Sequence, residues 1–187
     1  LQFASDGYVI TGDAIGLTGS QSVIRVGDGT TAGAGFTATI AANLTGAGDL
    51  FKTDLGTLVL TGSSSIAGDT YARSGLLQIS GGGTLSNVNG LVGPYAGDQA
   101  TVTVTGVGSA WNNSGDLWVG YDGTGTLNVT NGGQLTSATG TLGVSAGSIG
   151  NAVVSGAGSS WQNGGRITLG LSGTGNLRIE AGATVSS

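Results

Sequence analysis

The sequence predicts an all-β solenoid, in which short strands wind around a common core in successive coils. Residues 91–137 align without a gap on residues 141–187 at a shift of 50, and roughly a third of the aligned positions are identical. Glycine makes up 40 of the 187 residues, which disfavours helix because each glycine inside a helix costs about 1 kcal/mol. Short alternating apolar runs are frequent, whereas no stretch keeps a helical apolar period. The gapless repeat favours stacked coils over a β-sandwich, the alternative that the composition leaves open.

A weaker half-repeat divides each 50-residue unit into two coils. The apolar residues followed by glycine at 91–93 return at 118–120, 142–143 and 169–170, at spacings that alternate near 27 and 23. A coil of about 25 residues with two or three strands matches one turn of a solenoid, and the chain then holds about eight coils. Residues 1–90 follow a looser version of this pattern. No linker separates the two regions, so 1–187 is interpreted as a single domain.

Strand candidates alternate with glycine-rich turns along the whole chain. In order, the candidates are residues 9–11, 23–26, 37–41, 58–60, 76–79, 102–105 and 127–130. The turns include residues 27–29, 33–35 and 81–83. Gly123 and Gly125 are expected at corners between strands, where a positive φ or a close backbone approach favours glycine.

Alternation within the repeats assigns side chains to the core or to the surface. In the strand at 117–119, Leu117 and Val119 should point inward and Trp118 outward. Trp111 and Trp161 fall at one phase of the repeat, with Leu135 in the same slot of the half-repeat, which favours a core or corner-covering role. The same rule assigns further residues to the core, Leu127, Val129, Leu177 and Ile179, and others to the surface, Asn128 and Arg178.

The composition excludes several kinds of site. Ten acids against five bases give a net charge of −5, which does not support a phosphate-binding surface for nucleic acid. Without His or Cys the chain cannot form the Ser-His-Asp or Cys-His arrangements, a disulfide or a thiolate metal site. No cofactor or metal is expected. Lys52, the only lysine, is interpreted as a solvated surface residue.

Paired carboxylates are the best enzymatic alternative, because β-helix enzymes that act on polysaccharides line a groove with Asp residues. Here Asp116 aligns with Arg166 and Asp122 with Ser172, so no acidic pair recurs at stacked positions. The chain is therefore expected not to be an enzyme, and these acids are assigned to turns and the surface.

The outward aromatic residues are the candidate ligand contacts. Trp118 is replaced by Thr168 in the second repeat and lies between two inward residues, which suits a contact point for a partner. Tyr121 lies near the turn that follows, and Asn128 is one of many outward polar residues able to hydrogen-bond a glycan or another rod. The predicted ligand-binding residues are Trp118, Tyr121 and Asn128.

Two kinds of motif resemble repeats of secreted bacterial proteins. Residues 46–62, GAGDLFKTDLGTLVLTG, followed by 75–80, resemble the autotransporter-associated β-strand repeat. Residues 111–133 and 161–182 resemble the repeat shared by type V secreted and PEP-CTERM-associated surface proteins. Together these segments cover most of the chain.

The resemblance implies a right-handed parallel β-helix cut from a longer autotransporter passenger, with looser repeats at 1–90 and two 50-residue repeats at 91–187. It also implies export through the periplasm and outer membrane to the cell surface or medium, with an outer-membrane β-barrel translocator in the full-length chain. The function expected from this kinship is that of an adhesin or aggregation protein. Its partners would be a host-cell surface, a matrix protein or glycan, or a second rod. A purely structural stalk and a polysaccharide-active enzyme are the alternatives.

Overall fold

The computed structural model describes all residues 1–187 and contains three parallel sheets of eight strands each. Sheet A consists of Gln2–Phe3 (β1), Gln21–Val26 (β4), Asp49–Thr53 (β7), Thr70–Ala72 (β10), Gly90–Val92 (β13), Leu117–Val119 (β16), Gly140–Leu142 (β19) and Ile167–Leu169 (β22). Sheet B consists of Tyr8–Ile10 (β2), Thr37–Ile40 (β5), Thr57–Leu60 (β8), Ser74–Ile79 (β11), Gln99–Thr105 (β14), Thr124–Thr130 (β17), Ile149–Ser155 (β20) and Thr174–Glu180 (β23). Sheet C consists of Ile15–Leu17 (β3), Leu44–Gly46 (β6), Ser63–Ile66 (β9), Thr84–Asn87 (β12), Ala110–Asn113 (β15), Gln134–Ser137 (β18), Ser160–Asn163 (β21) and Thr184–Ser186 (β24).

The topology is that of a β-solenoid. Consecutive strands belong to sheets A, B and C in turn, and each strand pairs in parallel with the strand three places further along, as β13 does with β16. The chain completes about seven turns. Every strand candidate from the sequence overlaps an observed strand, and the parallel pairing throughout excludes the β-sandwich.

One short helix interrupts the strands. Residues 33–35, expected to form a turn, belong to a 3-10 helix at Thr31–Gly35, and the Thr30 hydroxyl caps it by accepting a hydrogen bond from the Ala32 N–H at 3.2 Å. No helix has the length and apolar character that crossing a membrane requires.

The core runs along the whole solenoid as stacked columns of inward side chains. In sheet C, Leu85, Trp111, Leu135 and Trp161 pair in that order, and all four are completely buried. The core assignment of the two tryptophans is therefore confirmed. Because an indole N–H buried without a partner costs about 1 to 3 kcal/mol, each ring also needs an acceptor inside the core.

A ladder of buried polar side chains next to this column supplies those acceptors. The Trp111 Nε1 donates to the Asn87 Oδ1 at 2.7 Å, and the Asn87 Nδ2 donates to the Asn113 Oδ1 at 2.8 Å. Further along, the Trp161 Nε1 donates to the Ser137 Oγ at 2.9 Å. The ladder lies at the ends of the sheet C strands, so it fastens the corners that lead into sheet A.

The predicted alternation holds in β16 and β17 and fails at the last coil. Leu117, Val119, Leu127 and Val129 are completely buried, whereas Trp118 is half-buried on the outside. The core assignment of Ile179 was wrong, since its side chain is 48% exposed. It lies in β23, the outermost strand of sheet B, so no further strand covers it.

Lys52 is completely buried, so the expectation of a solvated surface lysine was wrong. Its side chain occupies an inward position of β7, and the carboxylate of Asp54 near it is 13% exposed. Burial lowers the pKa of Lys52 to about 8, and the Asp54 charge opposes this shift. The Nζ donates hydrogen bonds of 2.7, 2.5 and 2.7 Å to the carbonyl oxygens of Asp54, Gly56 and Ser74. Three acceptors match the three N–H donors of an ammonium, so Lys52 ties the corner between β7 and β8 to β11.

Candidate functional site

The outer face of sheet A carries a continuous column of large apolar side chains. Most strands of this sheet are only three residues long, so each presents one outward residue between two inward ones. In register, these outward residues are Val23, Phe51, Tyr71, Leu91 and Trp118, followed by Thr141 and Thr168. We call the first five the aromatic column. At about 4.8 Å between paired strands, it is about 19 Å long.

The two rings in the lower part of the aromatic column stack on each other, and a third ring lies beside them. Phe51 and Tyr71 stack with ring centroids 4.4 Å apart and planes 4° from parallel. Tyr95, from the corner after β13, lies parallel to Tyr71 with a centroid distance of 6.5 Å. The Arg73 Cζ lies 4.7 Å from the centre of the Tyr95 ring, in the geometry of a cation–π contact.

Trp118 and Tyr121 form a separate aromatic pair at the upper end. Their ring centroids are 6.1 Å apart and the planes meet at 85°, an edge-to-face contact. Tyr121 lies in the corner between β16 and β17, where its N–H donates to the Gly93 carbonyl at 3.1 Å and its carbonyl accepts from the Ser145 N–H at 2.9 Å. The coils below and above therefore hold Tyr121 beside Trp118.

Glycines make this corner possible. Gly120, immediately before Tyr121, has a φ of 69°, which a residue with a side chain rarely adopts. A Cβ on Gly123 would lie 2.5 Å from the Tyr95 carbonyl oxygen, so its role is close backbone approach, as expected. Gly125 also meets backbone closely, against the Val92 carbonyl, but from within β17 rather than in the corner.

A second column, of acidic and amide side chains, runs beside the aromatic column. The Oδ1 atoms of Asp49, Asp69 and Asn89 accept hydrogen bonds from the backbone N–H groups of Asp69, Asn89 and Asp116, at 2.9, 3.0 and 2.8 Å. We call Asp49, Asp69, Asn89 and Asp116 the acidic column. Each member satisfies a backbone donor of the next coil, or, for Asp116, the Thr139 hydroxyl at 2.7 Å.

The carboxylates of the acidic column have no basic partner. The three ion pairs of the chain are Arg25–Asp54 at 3.1 Å, Arg73–Asp98 at 3.1 Å and Arg178–Glu180 at 3.0 Å, none of which involves this column. The uncompensated charge affects a neighbouring ring. Burial, together with the charges of Asp69 and Asp49, raises the pKa of Tyr71 to about 12.

The structure brings together two of the three sequence-predicted site residues. Trp118 and Tyr121 are in contact on sheet A, whereas Asn128 lies on sheet B. There the Asn128 Nδ2 is 3.5 Å from the Thr103 Oγ1, and its side chain lines a shallow depression with Thr101 and Thr126. Whether any of the three binds a ligand stays a prediction.

Sequence reasoning missed Phe51, Tyr71 and Leu91, and also the acidic column. Each of these large residues lies between two buried residues, but beside Phe51 one of them is Lys52, whose charge hid the pattern in the sequence. The arrangement offers aromatic edges, one exposed aromatic corner and fixed negative charges. No group of three or more acidic residues is placed to hold a metal ion.

Comparison with known proteins gives one curated match. The chain is 59% identical over 80 residues to the adhesin BmaC autotransporter of Brucella suis biovar 1 (strain 1330). The aligned region is 43% of this chain and only 2% of that protein. No protein-family model matches the chain, and no solved structure does. The similarity confirms the predicted resemblance to an autotransporter passenger and supports a cell-surface or secreted location.

Proposed function

We propose that this chain is a non-catalytic segment of an autotransporter adhesin, and that it attaches to a host cell, matrix or neighbouring bacterium through the outer face of sheet A. The observation that carries the proposal is the aromatic column, a register-aligned run of five large apolar side chains. Contiguous apolar surface on a soluble protein is usually a site of interaction. Tryptophan and tyrosine are also the residue types that contribute most to binding energy at interfaces.

The rigid scaffold suits shallow, repeated contacts. Each outward side chain is held between a coil below and a coil above, so little conformational entropy is lost when a partner docks. Contacts that are weak singly gain strength when they repeat along a rod. A role of this kind agrees with the name of the Brucella relative, an adhesin, although the aligned region is a small part of that protein.

A catalytic role has less support. The chain has no His or Cys, and the carboxylates on sheet A use one oxygen each to bind the next coil. These hydrogen bonds between coils give the acids a structural role. The polysaccharide-active alternative would instead need a pair of carboxylates facing each other across a bound sugar.

We further infer the finer features of the fold and of the complete protein. Winding should be right-handed, because crossovers between parallel strands almost always are, and the eight strands in each sheet support a count of eight coils joined by about seven complete turns. The full-length chain should carry an outer-membrane translocator, as expected for an autotransporter.

The test measures attachment of the purified chain to host cells and to a panel of matrix proteins and glycans. Trp118→Ala should weaken binding about 10- to 30-fold, the effect of removing a tryptophan that contributes strongly to an interface. Asn128→Ala tests the predicted residue on sheet B; because the proposal places the contacts on sheet A, this substitution should leave binding unchanged. Unchanged circular dichroism should accompany both substitutions, since both side chains point outward.

Two other results would contradict the proposal. If Asn128→Ala weakens attachment and Trp118→Ala does not, the adhesive face is sheet B. If the folded chain attaches to nothing, it is a structural spacer.

A further inference from the structure

The charges around the aromatic column are unbalanced. The carboxylates of Asp49, Asp69 and Asp116 lie beside it and have no ion-pair partner, although each accepts a hydrogen bond from the next coil that fixes it in place. The second oxygens of Asp49 and Asp116 have no hydrogen-bond partner in the protein. Among the bases, Lys52 is sealed in the core, three arginines pair with other acids, and Arg166, exposed before β22, forms no ion pair with these carboxylates.

The same face already holds one cation on an aromatic ring. Arg73 lies 4.7 Å from the centre of the Tyr95 ring while its guanidinium pairs with Asp98 at 3.1 Å. The arrangement of ring, carboxylate and cation is therefore complete at the lower end. At the upper end, Trp118 and Tyr121 supply the rings, Asp116 lies two positions before Trp118, and no cation–π contact involves these rings.

The packing of the rings disfavours flat neutral ligands. Phe51 and Tyr71 are stacked 4.4 Å apart, so the faces between them are covered and a sugar ring cannot stack there. An anionic ligand would meet three carboxylates of the same sign. A positive group gains from both features, because it is attracted to aromatic rings and to fixed carboxylates.

From this charge complementarity we propose that the occupant of the face is a basic segment of a protein, with an Arg or Lys side chain at the Trp118–Tyr121 corner and others along the acidic column. This inference rests on the proposed function and names the class of its partner. Asp69 and Asp116 are two coils apart, about 10 Å, a distance that an extended chain covers in about three residues. Basic residues spaced at short intervals therefore fit the column.

The experiment measures binding of a fluorescent peptide of alternating Arg and Gly by anisotropy, beside the same peptide with citrulline in place of each Arg. The Arg peptide should bind the chain and the citrulline peptide should bind at least about tenfold more weakly. Trp118→Leu keeps apolar volume and removes the ring, and it should weaken binding about fivefold.

Asp116→Asn removes one charge from the acidic column and keeps the shape of the side chain. Asn89 shows that an amide fits the acidic column, so the substitution should preserve the hydrogen bonds between coils. It should weaken binding of the Arg peptide about threefold and make that binding less dependent on salt concentration. Asp13→Asn removes the same charge from an exposed bend between β2 and β3 and should have no effect.

Four results would overturn the inference. Equal affinity for the citrulline peptide would exclude recognition of charge. If Asp13→Asn weakens binding as much as Asp116→Asn does, the peptide responds to the net charge of the chain and not to the acidic column. Equal binding to phosphatidylcholine vesicles would point to a lipid cation instead of a protein. If attachment to cells depends on Trp118 but the Arg peptide does not compete with it, the adhesive function stands and the partner class is wrong.

Discussion

Replacing Lys52 by Met tests whether a buried cation organises the third coil. Methionine keeps an unbranched chain of similar length among the apolar core residues but removes one donor each from the carbonyls of Asp54, Gly56 and Ser74. Gly56 alone keeps a further bond among those outside the sheet ladders, from the Leu76 N–H at 3.3 Å. Three hydrogen bonds to a charged group contribute about 1.5 to 3 kcal/mol each. Against this, the lowering of the pKa from 10.5 to about 8 corresponds to about 3.4 kcal/mol for holding the charge. The balance is a loss of about 3 kcal/mol in the free energy of unfolding.

Urea denaturation followed by circular dichroism measures this loss. All three tryptophans lie at or beyond residue 111, so their fluorescence reports on the upper coils and circular dichroism on the whole chain. Arg178→Met is the control, because it removes a cation from an ion pair that is 67% exposed on the arginine side and should cost under about 0.5 kcal/mol. A Lys52→Met protein as stable as wild type would refute the assignment of Lys52 as the donor that these carbonyls need.

Two further predictions concern pH and the buried ladder. Since the pKa of Lys52 is about 8 when folded and 10.5 when exposed, unfolding takes up a proton in this window and the free energy of unfolding should rise from pH 8 to 10. Above pH 10 the raised pKa of Tyr71 should reverse the slope, and Lys52→Met should abolish the rise; a flat profile in wild type would contradict this. Asn87→Ala leaves the Trp111 N–H unpaired in the core and should cost about 2 to 4 kcal/mol in urea denaturation, whereas Asn112→Ala, outward on the adjacent strand, should cost under about 1 kcal/mol.

The sequence allowed the upper half of the solenoid to be predicted in detail. The shift of 50 related Trp111 to Trp161, and the half-repeat added Leu135 to the same column, as the strand pairing confirms. Alternation then gave the outward direction of Trp118. The failure at Ile179 has a different origin, since a two-residue period gives the side of a strand and not whether another strand covers it.

The lower half was harder because its coils differ in length. Successive members of the aromatic column from Val23 to Trp118 are 28, 20, 20 and 27 positions apart, so no single shift aligns them. Lys52 was misassigned because a charged residue type predicts exposure, and three converging carbonyls are a tertiary feature that residue type does not reveal. The acidic column was missed for the same reason, since its bonds join residues 20 to 27 positions apart.

The unequal coils also bear on how such a surface can change over generations. The longest step, from Val23 to Phe51, accommodates the helix at Thr31–Gly35 as an excursion outside the sheets, yet both residues stay in register on sheet A. Insertions and deletions at the corners therefore alter loops without shifting the outward column. Loops at the bends can become longer or shorter in the course of evolution, while the hydrogen bonds between strands keep the spacing of side chains along the face constant.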